Sequence, residues 1–392
     1  MKSEDFAIIL KSVYDDVDLG ESMNKKFFAA MFTLTGTIIG AGILGLPYVF
    51  AQSGLLVGLF WLVAIGAIIV FVNLAMGEIT LRTKGRHQLP GYANKYLGIW
   101  GKRAMFFAMS IGIYSALLAY LIGEGSSFAK LIPIGVPPVF YGILFWLVMT
   151  LLLNKGMNGL KRVETWGVIG IIVIVVGVFI RYLPDVRVPN LVSVNTGNFF
   201  LPIGVVLFAM LGFTSIPELR KEIKGREGLF KKAIIFGSLI PVALYILFSI
   251  IIIGKLGVGV NEVATLSFGP VITILGIFTM LTSFFVLSFS LHDMFKFDMK
   301  LSRWQNFLFT SLIPLVAYVF IELFNLVSFN AILGIGGTIS GGFTGILILL
   351  MARKAKKNRH NPYPRIRVPI NWPIIILLSI VFLAAIVVQL VF

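Results

Sequence analysis

The chain has 392 residues, 58% of them hydrophobic and 13% charged, against roughly 45–50% and 25% in an ordinary soluble domain. Outside the apolar runs no polar stretch exceeds about 25 residues, which excludes a separate soluble enzyme, nucleotide-binding or receptor domain. The net charge of +16 has the sign of a nucleic-acid binder, but the positions of the charges decide its meaning.

The first segment, residues 1–26, is too acidic and too interrupted for a secretory signal and reads as a cytoplasmic tail. Apolar runs bounded by charge, Pro or Gly then predict helices near 27–53, 55–81, 104–128, 135–153, 164–181, 199–217, 230–254, 265–291, 305–323, 329–351 and 372–392. These runs are apolar all round rather than alternating, so a transmembrane barrel is excluded and the fold class is an all-α integral membrane protein of eleven helices. With the tail inside, 29 of the 33 Lys and Arg fall on one side; the exceptions are Lys130, Arg181, Arg187 and Lys255. The positive charge is therefore a topology signal and not a nucleic-acid footprint. It predicts a multi-pass plasma-membrane protein whose C-terminus lies outside and whose basic segment at 352–367 faces anionic lipid head groups. Cysteine is absent, and His87, His292 and His360 all fall in cytoplasmic segments, which argues against a metal site.

A motif recurs along the chain. Gly42-Ile-Leu-Gly-Leu-Pro47 in the first helix is matched by Gly212-Phe-Thr-Ser-Ile-Pro217 in the sixth, a Gly with Pro five residues later at an offset of 170. Five helices separate the copies, and an odd number inverts the second relative to the membrane. Paired Gly/Pro interruptions in corresponding halves point to an inverted-repeat transporter whose site lies at the breaks. The expected organisation is a first repeat over 27–181, a second over 199–351 and an added helix at 372–392. The alternative is close helix packing, since Gly36 and Gly40 also form a G-x-x-x-G pair.

A broken helix frees backbone groups that need a polar occupant. The N–H groups around Ala41, Gly42 and Ile43 would face a carboxylate at the positive end of a half-helix, and the carbonyls of Ala209, Met210 and Leu211 an ammonium group. Thr37, Gly40 and Gly212 join this candidate set, with Phe208 as a cover and Ser110 and Tyr114, four residues apart, as pocket members. No charged side chain lies between Lys26 and Glu78 or between Arg187 and Glu218, which disfavours cationic substrates. The acidic residues in or at the ends of spans are Glu78, Glu124, Glu164, Glu218 and Glu322. Of these Glu78 has Arg82 four residues on as a partner, Glu164 and Glu322 sit at helix ends, and Glu124 is the proton-carrier candidate, with a cap or interhelical hydrogen bond as its alternative role.

These residues resemble the amino acid/auxin permease family of the amino acid–polyamine–organocation superfamily. TLTGTIIGAGILGLPYVFAQSG (33–54) is similar to the family's first helix, ALLAYLIGEG (116–125) to its third and LFAMLGFTSIPELRKEIKG (207–225) to its sixth. TMLTSFFVLSFSLHD (279–293) resembles the eighth helix of bacterial aromatic and hydroxy amino acid permeases. The resemblance implies a leucine-transporter-like fold, neutral or aromatic amino acid substrates and uptake driven by a cation gradient. It also implies a sodium site between the first and eighth helices, where Gly36, Ile39, Thr279, Thr282 and Ser283 match, or else proton coupling. No cofactor beyond the coupling ion, sodium or proton, is expected. A membrane sensor that binds an amino acid without net transport is the alternative function; an intramembrane enzyme lacks any supporting motif.

Overall fold

A computed structural model describes residues 25–85, 87–155, 160–357 and 364–391, so the tail before Lys25, His360 and the side chain of Glu164 lie outside the described residues. Among the described residues all regular structure is helical. In chain order the elements are α1 (Lys25–Ile38), α2 (Gly42–Ser53), α3 (Leu55–Arg82), α4 (Leu89–Leu131), α5 (Pro138–Lys155), α6 (Leu160–Tyr182), the short α7 (Val188–Val192), α8 (Pro202–Ala209), α9 (Ile216–Glu222), α10 (Phe230–Leu256) and α11 (Pro270–Asp293). They are followed by α12 (Arg303–Phe324), α13 (Phe329–Ala355) and α14 (Trp372–Val391). π turns lie inside α12 at Leu308–Leu312 and inside α13 at Gly337–Gly341.

Eight of these helices are long and apolar enough to cross a membrane, nine if the bent pair α1 and α2 counts as one span. The expected spans at 135–153 and 199–217 are the two that differ. The apolar part of α5, Pro138–Leu153, is shorter than the rest, and 199–217 is divided between α8 and α9. The boundary of α4 differs as well: it starts at Leu89 rather than near 104, because Pro90 sits in its first turn and the chain turns within it at Gly98, φ 75°. Residues 89–97 carry Asn94 and Lys95 among their apolar side chains and so escape an apolar-run criterion.

The centre of the molecule is built from α4 and α13, whose most apolar stretches are 67% and 72% buried inside the protein, against 22% for α12 and α14 at the periphery. Around them pack Leu34 of α1, Leu44, Leu46 and Phe50 of α2, Leu62 and Ile69 of α3, and Tyr245 and Phe248 of α10, all fully buried. Within this core two helices are interrupted. Helix α1 ends at Ile38 and α2 restarts at Gly42 with a bend of 53°, and α8 ends at Ala209 before α9 begins at Ile216.

Candidate functional site

The first interruption is three residues, Ile39, Gly40 and Ala41. Its cause is visible in the hydrogen bonds. The Gly40 N–H reaches the Ile38 carbonyl at 2.9 Å instead of continuing the helical ladder, and the ladder restarts when the Leu44 and Gly45 amides both reach Ala41 O at 3.0 and 3.3 Å. Gly42, its amide expected at the start of a half-helix, is the first residue of α2. Its glycine is required by a neighbour: a Cβ there would lie 2.5 Å from the Cα of Ala209. Gly40, Gly42 and Gly212 all have negative φ, so close approach and not a left-handed backbone explains them.

The second interruption is longer, Met210 through Ser215, and contains Gly212 as expected. The Met210 amide still reaches Val206 O at 3.1 Å, and the Leu211 amide reaches Phe208 O at 3.2 Å. Ser215 then closes a turn, its N–H and its hydroxyl both donating to Gly212 O, at 3.2 and 2.9 Å. Among the described residues no backbone carbonyl receives the amides of Gly212, Phe213 or Thr214.

Two tyrosines lie at the interruptions. The Tyr245 hydroxyl of α10 is shared between Ile38 O and Ala209 O, each at 2.9 Å. It thereby holds the carbonyl ends of α1 and α8 with one proton, where their dipoles are negative. The Tyr120 hydroxyl of α4 lies beside Gly40, 2.7 Å from the position a Cβ would take, and the Ser283 hydroxyl lies 3.7 Å from the same position. Sequence reasoning missed both tyrosines. The available signal was a phenol inside an apolar span, since a buried hydroxyl needs a partner.

The remaining candidates separate into groups. Gly40, Ala41, Gly42, Ile43, Ala209, Met210 and Gly212 are buried around the two breaks and Leu211 is half-buried there, but the Ala209 carbonyl is already engaged by Tyr245. Phe208 is 9% exposed and packs on the π turn of α13, where a Cβ on Gly337 would lie 2.8 Å from its own. Tyr114 donates to Phe309 O of α12 at 2.7 Å. It lies about 120° around α4 from Tyr120, so it is directed away from the breaks, and Ser110 is buried one turn before it. Thr37 bonds back to Thr33 O at 2.8 Å. On α11 Thr279 donates to Gly276 O at 2.8 Å, and Thr282 to Phe278 O and Thr279 O at 3.1 Å. Both turn into their own helix and only Ser283 reaches the first break, where Ile39 is buried and Gly36 half-buried.

Residues 23–266 match the model of the tryptophan/tyrosine permease family, a span that holds both interruptions, Tyr120 and Tyr245. The chain belongs to that family. It is similar to tyrosine-specific transport system 2 of Haemophilus influenzae, 26% identical over 244 residues that make up 58% of each chain. It is also similar to glutamine transporter 2 of Aliivibrio fischeri, 23% identical over 319 residues, 75% of this chain and 81% of that one. A serine/threonine exchanger of Bacillus subtilis is 29% identical over 261 residues, 62% of this chain and 57% of the relative. The chain thus covers less than two thirds of the tyrosine-transport and exchanger relatives. Family membership and the long apolar helices together make it a multi-pass membrane protein.

Proposed function

We propose that this permease is a secondary active transporter that imports a neutral amino acid, with an aromatic or hydroxy side chain, by cation symport and alternating access. The observation that carries this reading is the meeting of the two interruptions at one buried place, where Tyr245 bridges the ends of α1 and α8 and the start of α2 packs on Ala209. The amides of Gly42 and Ile43 open the 12-residue α2 and suit a carboxylate; the carbonyls of Met210 and Leu211 suit an ammonium group, Ala209 O being held by Tyr245. Gly42 lies directly on Ala209, so entry of a ligand requires the two breaks to part, which is the movement alternating access uses. Absence of charged side chains from both breaks supports a neutral substrate.

The reading includes a five-plus-five inverted repeat of leucine-transporter type, with 27–181 and 199–351 as halves and α14 added, the N-terminus inside and the C-terminus outside. The offset of 170 between the motifs and the one-sided distribution of Lys and Arg support it. Counterflow tests the function: proteoliposomes loaded with one unlabelled amino acid take up the same labelled one. Tyrosine, tryptophan, serine, threonine and glutamine are compared, and accumulation with none of them rejects the transport reading.

A further inference from the structure

Among the described residues two glutamates are completely buried, Glu78 and Glu124, each at 0% exposure, and their hydrogen bonding differs. Glu78, near the end of α3, is fully satisfied. One carboxylate oxygen accepts from Arg82 Nε at 2.8 Å and the other from the Val368 N–H at 2.7 Å. Glu124, in the interior of α4, has a hydrogen-bond or ion-pair partner on neither oxygen among the described residues. Burial of an ionised carboxylate without a partner is among the costliest arrangements in a membrane, whereas the neutral acid is tolerated. The first is a structural ion pair; the second has the features of a site that is filled and emptied.

The surroundings of Glu124 supply no cation. On α4 itself the Tyr120 hydroxyl lies against Gly40 at the break, and Lys130 is turned to the carbonyls of Leu266 and Phe268. From α5 the titratable group is Tyr141, bonded to Ile132 O. From α12 they are Tyr318 and Glu322; the Tyr318 hydroxyl lies 2.8 Å from where a Cβ on Gly125 would be and is itself without a partner. The segment before α11 contributes Glu262, which accepts from the Asn330 amide at 3.2 Å, and α2 contributes Tyr48. Residues 270–291 of α11 and 329–352 of α13 hold no titratable side chain.

Glu124 is also placed to act on the site. It lies one helical turn from Tyr120 on the same face of α4, and the Tyr120 hydroxyl is packed against Gly40 of the first interruption, beside the Ser283 hydroxyl. A change in how α4 packs at Glu124 therefore reaches the first interruption through one turn of helix.

We propose, building on the transport reading, that Glu124 is the proton-binding site of this permease. A proton from water on one side of the membrane joins the Glu124 carboxylate, the neutral acid is enclosed in the conformation described, and the same proton leaves to water on the other side. No other bond is made or broken.

The test uses the full chain. In lipid nanodiscs, infrared difference spectra between acid and alkaline pH should contain the C=O stretch of a protonated carboxyl that disappears in Glu124→Gln. In proteoliposomes Glu124→Gln should retain counterflow of the labelled amino acid and lose concentrative uptake driven by an imposed pH gradient, at least about tenfold, while Glu124→Asp restores uptake with a displaced pH profile. If the band survives in Glu124→Gln, if that variant still concentrates substrate, or if uptake follows a sodium gradient at fixed pH, the proposal is overturned. If Glu124→Gln does not fold, Glu124→Asp decides: an unchanged band and pH profile overturns it. Absence of counterflow in the wild type would instead reject the transport reading, and the infrared result would still report on the proton site.

Discussion

The two interrupted helices carry the same Gly-x-x-x-x-Pro motif and break differently. In the first, the helix restarts at Gly42 itself and Pro47 is carried inside α2. In the second, the equivalent Gly212 lies in the middle of a six-residue break, and Pro217 falls in the first turn of α9, where its missing N–H costs nothing. The partners explain the difference. Gly42 is pressed against the backbone of Ala209, which forces a compact turn, while the atoms nearest Gly212 belong to the side chains of Leu34 and Ile38. The outer halves differ too: α9 is tied to the end of α3 by Arg220, which donates to the carbonyls of Thr80 and Thr83, and to α1 by Thr33, which donates to Glu222 at 3.3 Å. An identical motif thus gives a tight hinge in one half and a long, anchored one in the other.

The largest expected effect breaks this comparison at its tight side. Gly42→Val places side-chain atoms on backbone that cannot yield; overpacking of this kind costs about 3 kcal/mol, so counterflow should fall about a hundredfold with the protein still folded by gel filtration. Normal transport by this variant would put the site elsewhere. Tyr245→Phe comes next, because it removes the one donor shared by both breaks and leaves buried carbonyls with a cost of about 1–3 kcal/mol. Uptake should drop about tenfold, with a lowered thermal midpoint in tryptophan fluorescence.

Gly212→Ala sharpens the contrast from the other side, since its new methyl meets the side chains of Leu34 and Ile38 at 2.7–2.9 Å and no backbone atom is among the nearest three; the expected loss is about 1 kcal/mol, or fivefold in transport. A loss equal to that of Gly42→Val would show that the two breaks are mechanically equivalent. Tyr120→Phe acts on the first break alone and should cost about as much. A double-mutant cycle with Ser283→Ala should give a coupling that Tyr120→Phe with Gly212→Ala lacks. The smallest effect belongs to Thr282→Val, because that hydroxyl is bonded into its own helix. Its readout is the sodium dependence of uptake, and a lowered apparent sodium affinity would place a cation site on α11.

Much of this organisation is legible without coordinates. Apolar runs as long as 230–254 hold few alternatives, because twenty residues of low polarity have one stable form in lipid, and the Gly/Pro motifs locate both breaks within three residues. The amphipathic start of α4 was not legible, since the chain there is neither apolar throughout nor periodic enough to stand out. Nor was the outcome at Tyr114, whose one-face spacing with Ser110 was correct while the face itself was not the one at the breaks.

What the chain determined by itself is local: where helices run, where they are weak, and that no charge lies at the weak points. Which residues meet there was decided only by the tertiary structure. Tyr245 bonds to a carbonyl 207 residues away and to another 36 residues away, and Glu78 finds its second partner 290 residues along the chain while Glu124 finds none among the described residues. The physical reason is that a membrane helix apolar on every side carries no amphipathic stripe to fix its rotation. Its few polar groups take their orientation from the helices packed against it.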